Sequence, residues 1–291
     1  KPDLVVFHEI YRIPFLNLSK ELIQKKIPYI IIPHGGLTKE AQHQKKIKKI
    51  IGNMLLFNKY IYSANAIQFL SLSEEKRSKR FIKKQQIIIS GSGIEFPDIQ
   101  YKIHTPLRIV FIGRYDIYFK GLDLLLDSIN MIASKLNKES VKVELYGIGN
   151  KNDEKYIRTY LKKNNMYNIC QVNGPVFDHD KDNVLKNTDI FVQPSRSEGQ
   201  PLGIIEALAY GIPVIITPGT GLIEDVNKYH YGYGTDFNTK RLAETILTAV
   251  KEKEKLITMS KNARLYAKNN YDWKVIINKL LIDYEKIIRR S

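Results

Sequence analysis

The sequence predicts an α/β fold in which doubly wound parallel sheets are covered by helices. Short apolar runs rich in β-branched residues recur along the chain and indicate buried strands, as in DLVVF, YIIIP, AIQFL, QIIIS, RIVFIG, VKVELYG, DIFVQP and PVIIT. Longer amphipathic segments separate several of these runs; Leu122, Leu125 and Ile129, for example, share one helical face. Strands that alternate with helices favour a parallel sheet.

Two units are predicted, with a linker near residues 97–106, where the polar segment DIQYKIHTP precedes a new strand and helix. Residues 1–103 form the first unit and residues 104–270 the second. The second unit is complete, with strands expected near Val110, Val143, Ile169, Phe191, Val214 and Tyr233. The first unit supplies about four strands and lacks the Gly-rich turn that usually opens such a sheet, so a truncated amino end is expected. Residues 271–291 carry an apolar helical stripe and are expected to cross back onto the first unit.

The composition favours a globular protein with an anionic partner. Of the 291 residues 43% are hydrophobic, enough for a large core, and the net charge is +16. Residues 1–104 hold 18 Lys and Arg against 8 Asp and Glu, so the excess is concentrated there. A single Cys170, no apolar run near the length of about 20 residues that spans a membrane, and no export signal together predict a cytoplasmic protein.

The segment DIFVQPSRSEGQPLGIIEALAYGIPVIIT predicts a strand that ends at Pro194, a turn, and a helix from about Leu202 to Tyr210. Open α/β sheets bind ligands at the carboxyl ends of their strands, where this turn lies. Free amides from Gln200 to Gly203 open the helix, and they can hold an anion such as a diphosphate against its positive end.

Two carboxylates in this segment are candidates for hydroxyl recognition. Glu206 lies in an otherwise apolar stretch and needs a polar partner, such as a ribose diol, while Glu198 in the turn can reach a sugar hydroxyl. The alternative is that Glu206 faces solvent and Glu198 only caps the helix.

The segment FIGRYDIYFKG predicts a second loop at a strand end, between Gly113 and Gly121. Arg114 and Lys120 bracket it, and two cations on one such loop can grip a diphosphate. Taken alone, an Arg and a Lys near a turn are more often ordinary surface charges.

Together these segments resemble glycosyltransferase family four, whose donor domain carries a GR…KG loop and a later E-x7-E turn and helix. GRYDIYFKG and EGQPLGIIE match the two motifs, and further matches are PHGG, GSGI, ELYGIGN with Gly147, and NARLYAKNNYDW. Their joint order and spacing are specific and cover nearly the whole chain. The resemblance implies a GT-B fold of two Rossmann-like units, with a partial acceptor-side unit first and the donor-binding unit second.

The resemblance also implies residue roles. Arg114 and Lys120 bind the donor diphosphate and stabilise the leaving group; Glu206 binds the ribose, and Glu198 lies close to the transferred sugar. His34 of PHGG faces the acceptor, whereas His8 is interpreted as a packing or hydrogen-bonding residue. The remaining donor-binding residues are Gly113, Gly147, Gly199, Gln200, Pro201, Leu202 and Gly203.

The implied activity is transfer of a hexose from a nucleotide diphosphate sugar, such as a UDP-sugar, to a hydroxyl of a glycan or lipid-linked glycan in polysaccharide biosynthesis. Retention of configuration is expected, with no cofactor and no metal. Asp178 and Asp180 have the DxD spacing of a metal site, but they precede a helix and are interpreted as residues of its first turn. The stretch TPGTGLIEDVNKYHYGYG departs from the wording usual in the family, so sugar recognition there is not predicted.

A basic amphipathic helix is predicted in the first unit. Apolar residues share one face opposite four lysines: Ile47, Ile50, Ile51, Met54 and Leu55. This face either packs on the core or meets the anionic inner face of the plasma membrane, and we expect peripheral association. Alternatives for the whole chain are a nucleotide-sugar epimerase of GT-B fold, an inactive donor-binding fragment, or a nucleic-acid-binding protein; against the last, the lysine clusters lack interleaved aromatic residues, so no nucleic-acid partner is expected.

Overall fold

The computed structural model describes residues 1–290, which divide into two compact units. The first unit comprises Lys1–Gly93 and the chain from Trp273 onward, and the second comprises Ile94–Asp272. Among residues 1–290, no helix combines the length and the apolar character needed to cross a membrane.

Helices and strands alternate along most of the chain. The amino-terminal part contains β1 (Val5–His8), α1 (Ile13–Gln24), β2 (Tyr29–Ile32), α2 (Lys39–His43), α3 (Lys46–Gly52), a π-helical segment (Asn53–Phe57), α4 (Asn58–Tyr62), β3 (Ala66–Phe69), α5 (Leu72–Ser78), a 3₁₀ turn (Lys79–Phe81) and β4 (Gln86–Ile89). The second unit contains β5 (Leu107–Ile112), α6 (Leu122–Lys138), β6 (Val141–Tyr146), α7 (Lys151–Lys163), β7 (Cys170–Asn173), α8 (Asp178–Lys186), β8 (Ile190–Gln193), α9 (Leu202–Ala209), β9 (Val214–Ile216), a 3₁₀ turn (Pro218–Thr220), α10 (Ile223–Tyr229), β10 (Gly232–Gly234), α11 (Thr239–Lys251) and α12 (Lys255–Tyr271). The final helix is α13 (Trp273–Arg290).

The first unit contains a four-stranded parallel sheet in the order β1-β2-β3-β4. Successive residues of β2 face opposite sides, so Ile31 joins one apolar cluster and Ile30 another. Ile287 of α13 packs in the second cluster, which places the terminal helix on this sheet. Because apolar groups cover both faces, the strands are continuous apolar runs.

The second unit contains a six-stranded parallel sheet in the order β10-β9-β8-β5-β6-β7. The first strand of this sheet in sequence is β5, and the chain continues from it through β6 to β7 at one edge. It then returns to β8, which lies on the other side of β5. The predicted fold class is therefore confirmed, with two Rossmann-like parallel sheets. The reversal between β5 and β8 creates a crevice at the carboxyl ends of these strands, where such sheets bind ligands.

The division between the units lies ten residues earlier than the predicted boundary after residue 103. Residues 94–103 carry apolar side chains between polar ones, and the apolar ones, including Ile99 and Ile103, pack on the second unit. The ring of Phe96 lies against one of its apolar clusters. The hydroxyl of Tyr101 donates a hydrogen bond of 2.8 Å to the carbonyl oxygen of Asp189. The charged and amide side chains that lie between the apolar ones hid these contacts in the sequence.

Candidate active site

The two loops singled out in the sequence touch at the crevice of the second sheet. Gly121, at the end of the loop after β5, has a φ of +68°, and a Cβ atom there would lie 2.0 Å from the carbonyl oxygen of Pro194. Glycine is therefore required for both its backbone conformation and the close approach. This contact brings Lys120 beside the turn that follows β8.

Lys120 and Glu198 form an ion pair across these loops. The Nζ atom of Lys120 lies 2.8 and 3.0 Å from the two carboxylate oxygens of Glu198, whose side chain is largely buried. Gln193 and Ser195 also donate to Oε1 of Glu198, each at 2.6 Å. The sequence predicted separate roles for the lysine and the carboxylate, whereas the structure makes each one orient the other.

Arg196, which the sequence analysis missed, fastens the two loops together. Its guanidinium donates to both carboxylate oxygens of Asp123, at 2.7 and 2.8 Å, and to the carbonyl oxygen of Tyr118 at 2.7 Å. It also lies over the ring of Tyr118. The hydrogen bond to Asp123 raises the pKa of Arg196. In the sequence, Arg196 is marked only by its position inside the turn. Its partner Asp123 lies 73 residues away, so the sequence does not reveal the pair.

Arg114 lies at the start of the same loop but in a different environment. Its side chain is 69% exposed, and Nη2 lies 3.1 Å from a carboxylate oxygen of Asp116. The structure thus holds one predicted cation firmly, Lys120, and leaves the other extended into solvent.

Glu206 faces a cavity of about 360 Å³ in the second unit. Its neighbours Ile205 and Ala207 are buried, but the Glu206 carboxylate accepts a hydrogen bond of 2.7 Å from Nζ of Lys181. Tyr210 also lines the cavity and donates to Asp182. The pKa of the Tyr210 hydroxyl is raised, mainly because the group is buried and in second place because it donates this hydrogen bond. Glu206 is therefore a partnered group in a cavity and not a freely solvated one.

The start of α9 supplies fewer amides than predicted. Proline has no N–H, so Pro201 cannot donate, and the amide of Leu202 donates to the carbonyl oxygen of Gln200 at 2.9 Å. The turn closes on itself before the helix begins. Gly203 packs tightly, because a Cβ atom there would lie 3.2 Å from the ring of Phe191, whereas Gly199 has open space around it.

Gly113 and Gly147 allow two further strand ends to meet. A Cβ atom at Gly147 would lie 1.9 Å from the carbonyl oxygen of Gly113, so alanine cannot replace this glycine without moving the backbone. The amide of Gly113 donates to the carbonyl oxygen of Tyr146 at 3.0 Å. These glycines shape the wall of the crevice beside Arg114.

In the first unit, His34 follows β2 in the left-handed conformation, with a φ of +47°. Its Nε2 atom lies 2.9 Å from Nδ1 of His8 at the end of β1, and the two rings are stacked. Glu74, which the sequence analysis also missed, fixes this turn. It is fully buried, and its carboxylate accepts hydrogen bonds from the amides of Gly35 at 2.5 Å and Leu70 at 2.8 Å.

Asp178 and Asp180 lie in the first turn of α8, where acidic side chains stabilise the positive end of a helix. Within the described residues 1–290, no three His, Cys, Asp or Glu side chains are grouped to hold a metal ion.

Comparison with known proteins gives consistent matches. Residues 94–266 match the family described as Glycosyl transferases group 1. Protein CapJ of Staphylococcus aureus is 27% identical over 260 residues, which are 88% of this chain and 60% of that protein. The N,N'-diacetylbacillosaminyl-diphospho-undecaprenol alpha-1,3-N-acetylgalactosaminyltransferase of Campylobacter jejuni is 31% identical over 107 residues, 36% of this chain and 28% of that protein. The chain thus spans less than two thirds of either relative.

The solved structure of Anabaena Alr3699/HepE in complex with UDP and glucose is similar in fold. It superposes with a TM-score of 0.79 at 16% sequence identity, covering 97% of this chain and 78% of that chain.

Proposed function

This chain belongs to the glycosyl transferases group 1 family and has the GT-B fold class, and from that premise we propose that it transfers a hexose from a nucleotide diphosphate sugar to a hydroxyl group. The acceptor in this proposal is a glycan or a lipid-linked glycan of polysaccharide biosynthesis. The donor is a UDP-hexose, in keeping with the nucleotide and sugar in the Alr3699/HepE complex.

The observation that carries the proposal is the Lys120–Glu198 pair at the crevice between β5 and β8. In the reaction, the bond from the anomeric carbon to the diphosphate oxygen breaks, and a bond to the acceptor oxygen forms. The proton of the acceptor hydroxyl passes to an oxygen of the departing diphosphate, on which negative charge develops as the sugar leaves. The ammonium group of Lys120 stabilises this charge, and Arg114 is exposed and able to turn toward it. Two cations make a metal ion unnecessary for this step.

The Lys120–Glu198 contact also supports a role in orienting the sugar. The carboxylate of Glu198 fixes the ammonium group, while Gln193 and Ser195 fix the carboxylate. The Glu198 carboxylate is thus held by Lys120, Gln193 and Ser195 before any substrate binds. Because it loses little rotational freedom on binding, more of the binding energy is available to stabilise the transition state. Retention of anomeric configuration is part of the proposal, with departure and attack on the same face of the sugar.

The nucleoside is assigned to the cavity beside Glu206. Its volume of about 360 Å³ is typical of small-molecule sites, which span about 300–1,000 Å³. The Glu206 carboxylate can accept hydrogen bonds from both ribose hydroxyls once Lys181 shifts from its present contact. In the first unit, His34 is assigned to the acceptor hydroxyl, with its turn held by Glu74.

A thermal-shift titration tests the proposal. The wild-type chain is expected to be stabilised by UDP and one UDP-hexose, because a ligand at 100 times its Kd adds about 2.7 kcal/mol to the free energy of unfolding. Glu206→Ala is expected to require a higher UDP concentration for the same shift, whereas Glu139→Ala, an exposed glutamate beyond the end of α6, is the matched control. If no nucleotide sugar raises the melting temperature, the proposal is wrong. If a UDP-hexose is converted to its epimer without an acceptor, the chain is an epimerase.

We also propose that the first unit binds the anionic inner face of the plasma membrane. The segment from α3 through the π-helical turn leaves its apolar side chains exposed, with Ile47 at 76% and both Met54 and Leu55 at 68%. Among residues 1–290, nothing covers these side chains, so the face does not pack on the part of the core that the structure describes. Of the four lysines, Lys49 donates to the carbonyl oxygen of Ala41 at 2.5 Å, and its partial burial lowers its pKa. The others, Lys45, Lys46 and Lys48, are exposed.

Sedimentation with vesicles tests this second proposal. The chain is expected to bind vesicles containing phosphatidylserine at low salt and to be released at high salt, since each exposed lysine near an anionic surface contributes about 1 kcal/mol. Lys48→Ala is therefore expected to weaken binding about fivefold. Leu55→Glu is expected to weaken it further, and Leu265→Glu, at an exposed leucine of the second unit, to leave it unchanged. Absence of sedimentation at low salt would remove the proposal.

A further inference from the structure

Tyr115, which lies between Arg114 and Asp116 in the loop after β5, is buried at the crevice of the second sheet. It is only 2% exposed and belongs to an apolar cluster of the second unit. Its hydroxyl oxygen lies 2.8 Å from the carbonyl oxygen of Leu145 and 2.7 Å from that of Asn173, and its one proton is shared between these acceptors. Burial raises the pKa of this hydroxyl, so it remains a donor at neutral pH. One side chain from the loop after β5 therefore reaches the carboxyl ends of both β6 and β7.

The backbone on either side of Arg114 is fixed to the loop after β6. The amide of Gly113 donates to the carbonyl oxygen of Tyr146 at 3.0 Å, and the amide of Tyr115 donates to that of Ile148 at 2.8 Å. The pairing of β5 with β6 thus continues beyond the last residue of each strand. Arg114 is carried on this extension.

Arg114 and Tyr115 point to opposite sides of the extension. Successive side chains of an extended chain alternate between two faces, so burial of Tyr115 directs Arg114 outward, where its side chain is 69% exposed. The carboxylate of Asp116 accepts a hydrogen bond of 3.1 Å from Nη2 of Arg114 and one of 2.8 Å from the amide of Phe119. The anchor at Tyr115 therefore fixes where the Arg114 side chain begins, while the guanidinium group is able to turn.

Two glycines of the loop after β6 make room for Tyr115. A Cβ atom at Gly147 would lie 3.0 Å from Cε1 of the Tyr115 ring, and a Cβ atom at Gly149 would lie 2.7 Å from Cβ of Tyr115. Neither glycine has a left-handed φ, so the backbone conformation does not by itself require glycine at these positions. Close approach of the loop that carries Tyr115 does require it.

We infer that Tyr115 is a positioning residue of the donor site, which holds the backbone of Arg114 where its guanidinium group reaches the donor diphosphate. The hydroxyl of Tyr115 ties the loop after β5 to the ends of β6 and β7. Without this tie, the backbone of Arg114 gains freedom that is lost again when the diphosphate binds, so affinity falls. Tyr115 is buried and acts through Arg114, not by contact with the donor. The inference rests on the proposed function, because it depends on the diphosphate contact assigned there to Arg114.

A double-mutant cycle, measured by calorimetric titration with UDP, tests the inference. Tyr115→Phe removes the hydroxyl and keeps the ring, and it is expected to weaken UDP binding about fivefold when Arg114 is present. In the Arg114→Ala background the same change is expected to alter UDP affinity by less than about twofold, because no guanidinium group is left to position. Equal weakening in both backgrounds would show that Tyr115 contributes to structure alone and would overturn the inference. An unchanged UDP affinity of Tyr115→Phe would overturn it as well.

Tyr167→Phe is the matched control. The hydroxyl of Tyr167 also donates to a backbone carbonyl oxygen of the second unit, that of Arg158, at 3.0 Å, but Tyr167 is 50% exposed. Its loss is expected to leave UDP affinity unchanged in both backgrounds. Melting temperatures of all variants set the temperature of the titrations, so that only folded protein is compared.

A second variant covers failure of Tyr115→Phe to fold. Gly149→Ala then takes its place in the cycle, because the added Cβ atom displaces Tyr115 from the side of the β6 loop, and the same dependence on Arg114 is expected. The two ways to fail are distinguishable. If the wild type binds no UDP, the proposed function is wrong and the inference falls with it. If the wild type and Arg114→Ala bind UDP equally, the inference is wrong and the proposed transfer stands.

Discussion

Replacing Lys120 by alanine is expected to lower the turnover number of sugar transfer by about 10²–10³-fold, the usual loss when one preorganised charge-stabilising donor is removed. The folded chain holds this ammonium group in place at the crevice, 2.8 Å from Glu198. Its removal also takes away the ammonium group that lies against the largely buried Glu198 carboxylate. The negative charge of Glu198 then repels the donor diphosphate more strongly, so the KM for the UDP-hexose is expected to rise as well.

Steady-state kinetics with a fixed acceptor measure both effects. Lys135→Ala removes an exposed lysine from α6 of the same unit and is expected to leave both parameters unchanged. The double variant Lys120→Ala with Glu198→Gln removes the negative charge of residue 198 as well, and it is expected to recover part of the lost donor affinity without recovering turnover. A Lys120→Ala variant whose turnover stays within threefold of the wild type would show that this lysine does not stabilise the leaving group.

The strands could be predicted because a parallel sheet buried on both faces requires continuous apolar sequence. The run around Phe191 therefore predicted β8 directly, and the same reasoning located seven of the other strands, whereas the short edge strands β7 (CQVN) and β10 (GYG) are not continuous apolar runs. The order of the strands could not be predicted in this way, since it depends on where each crossover helix returns the chain. The compact units divide ten residues before the predicted boundary, because Phe96, Ile99 and Tyr101, which lie between polar residues, pack on the second unit.

The candidate site could be predicted as a set of side chains but not as a set of contacts. Lys120 and Glu198 were both identified, yet their pairing joins residues 78 positions apart and depends on the β5 and β8 strands being neighbours. Glu74 was missed because SLSEEK is typical of a solvated helix start, and burial of one of its two glutamates is a tertiary effect. Arg196 was missed in the same way, because its partner Asp123 lies on α6.

Gly121→Ala is expected to lower the free energy of unfolding by about 2–5 kcal/mol and to weaken UDP-hexose binding. The left-handed φ of +68° costs an alanine about 1–2 kcal/mol. The added Cβ atom would lie 2.0 Å from the carbonyl oxygen of Pro194, and relief of such an overlap costs about 1–3 kcal/mol more. Because the obstacle is backbone and not a flexible side chain, the two loops must separate. Separation draws Lys120 away from Glu198, so donor affinity falls even under conditions in which the variant is fully folded.

Gly174→Ala is the matched control, since Gly174 lies in a loop of the same unit with no atom within 4 Å of the added Cβ and with no left-handed φ. Its free energy of unfolding is expected to stay within about 1 kcal/mol of the wild type, because alanine in open space mainly restricts the unfolded chain. Urea titrations of both variants give the stability difference, and titrations with UDP at low urea give the affinity of the folded state. If both variants bind UDP as the wild type does, contact between the two loops is a feature of stability alone, and the Lys120–Glu198 geometry does not depend on it.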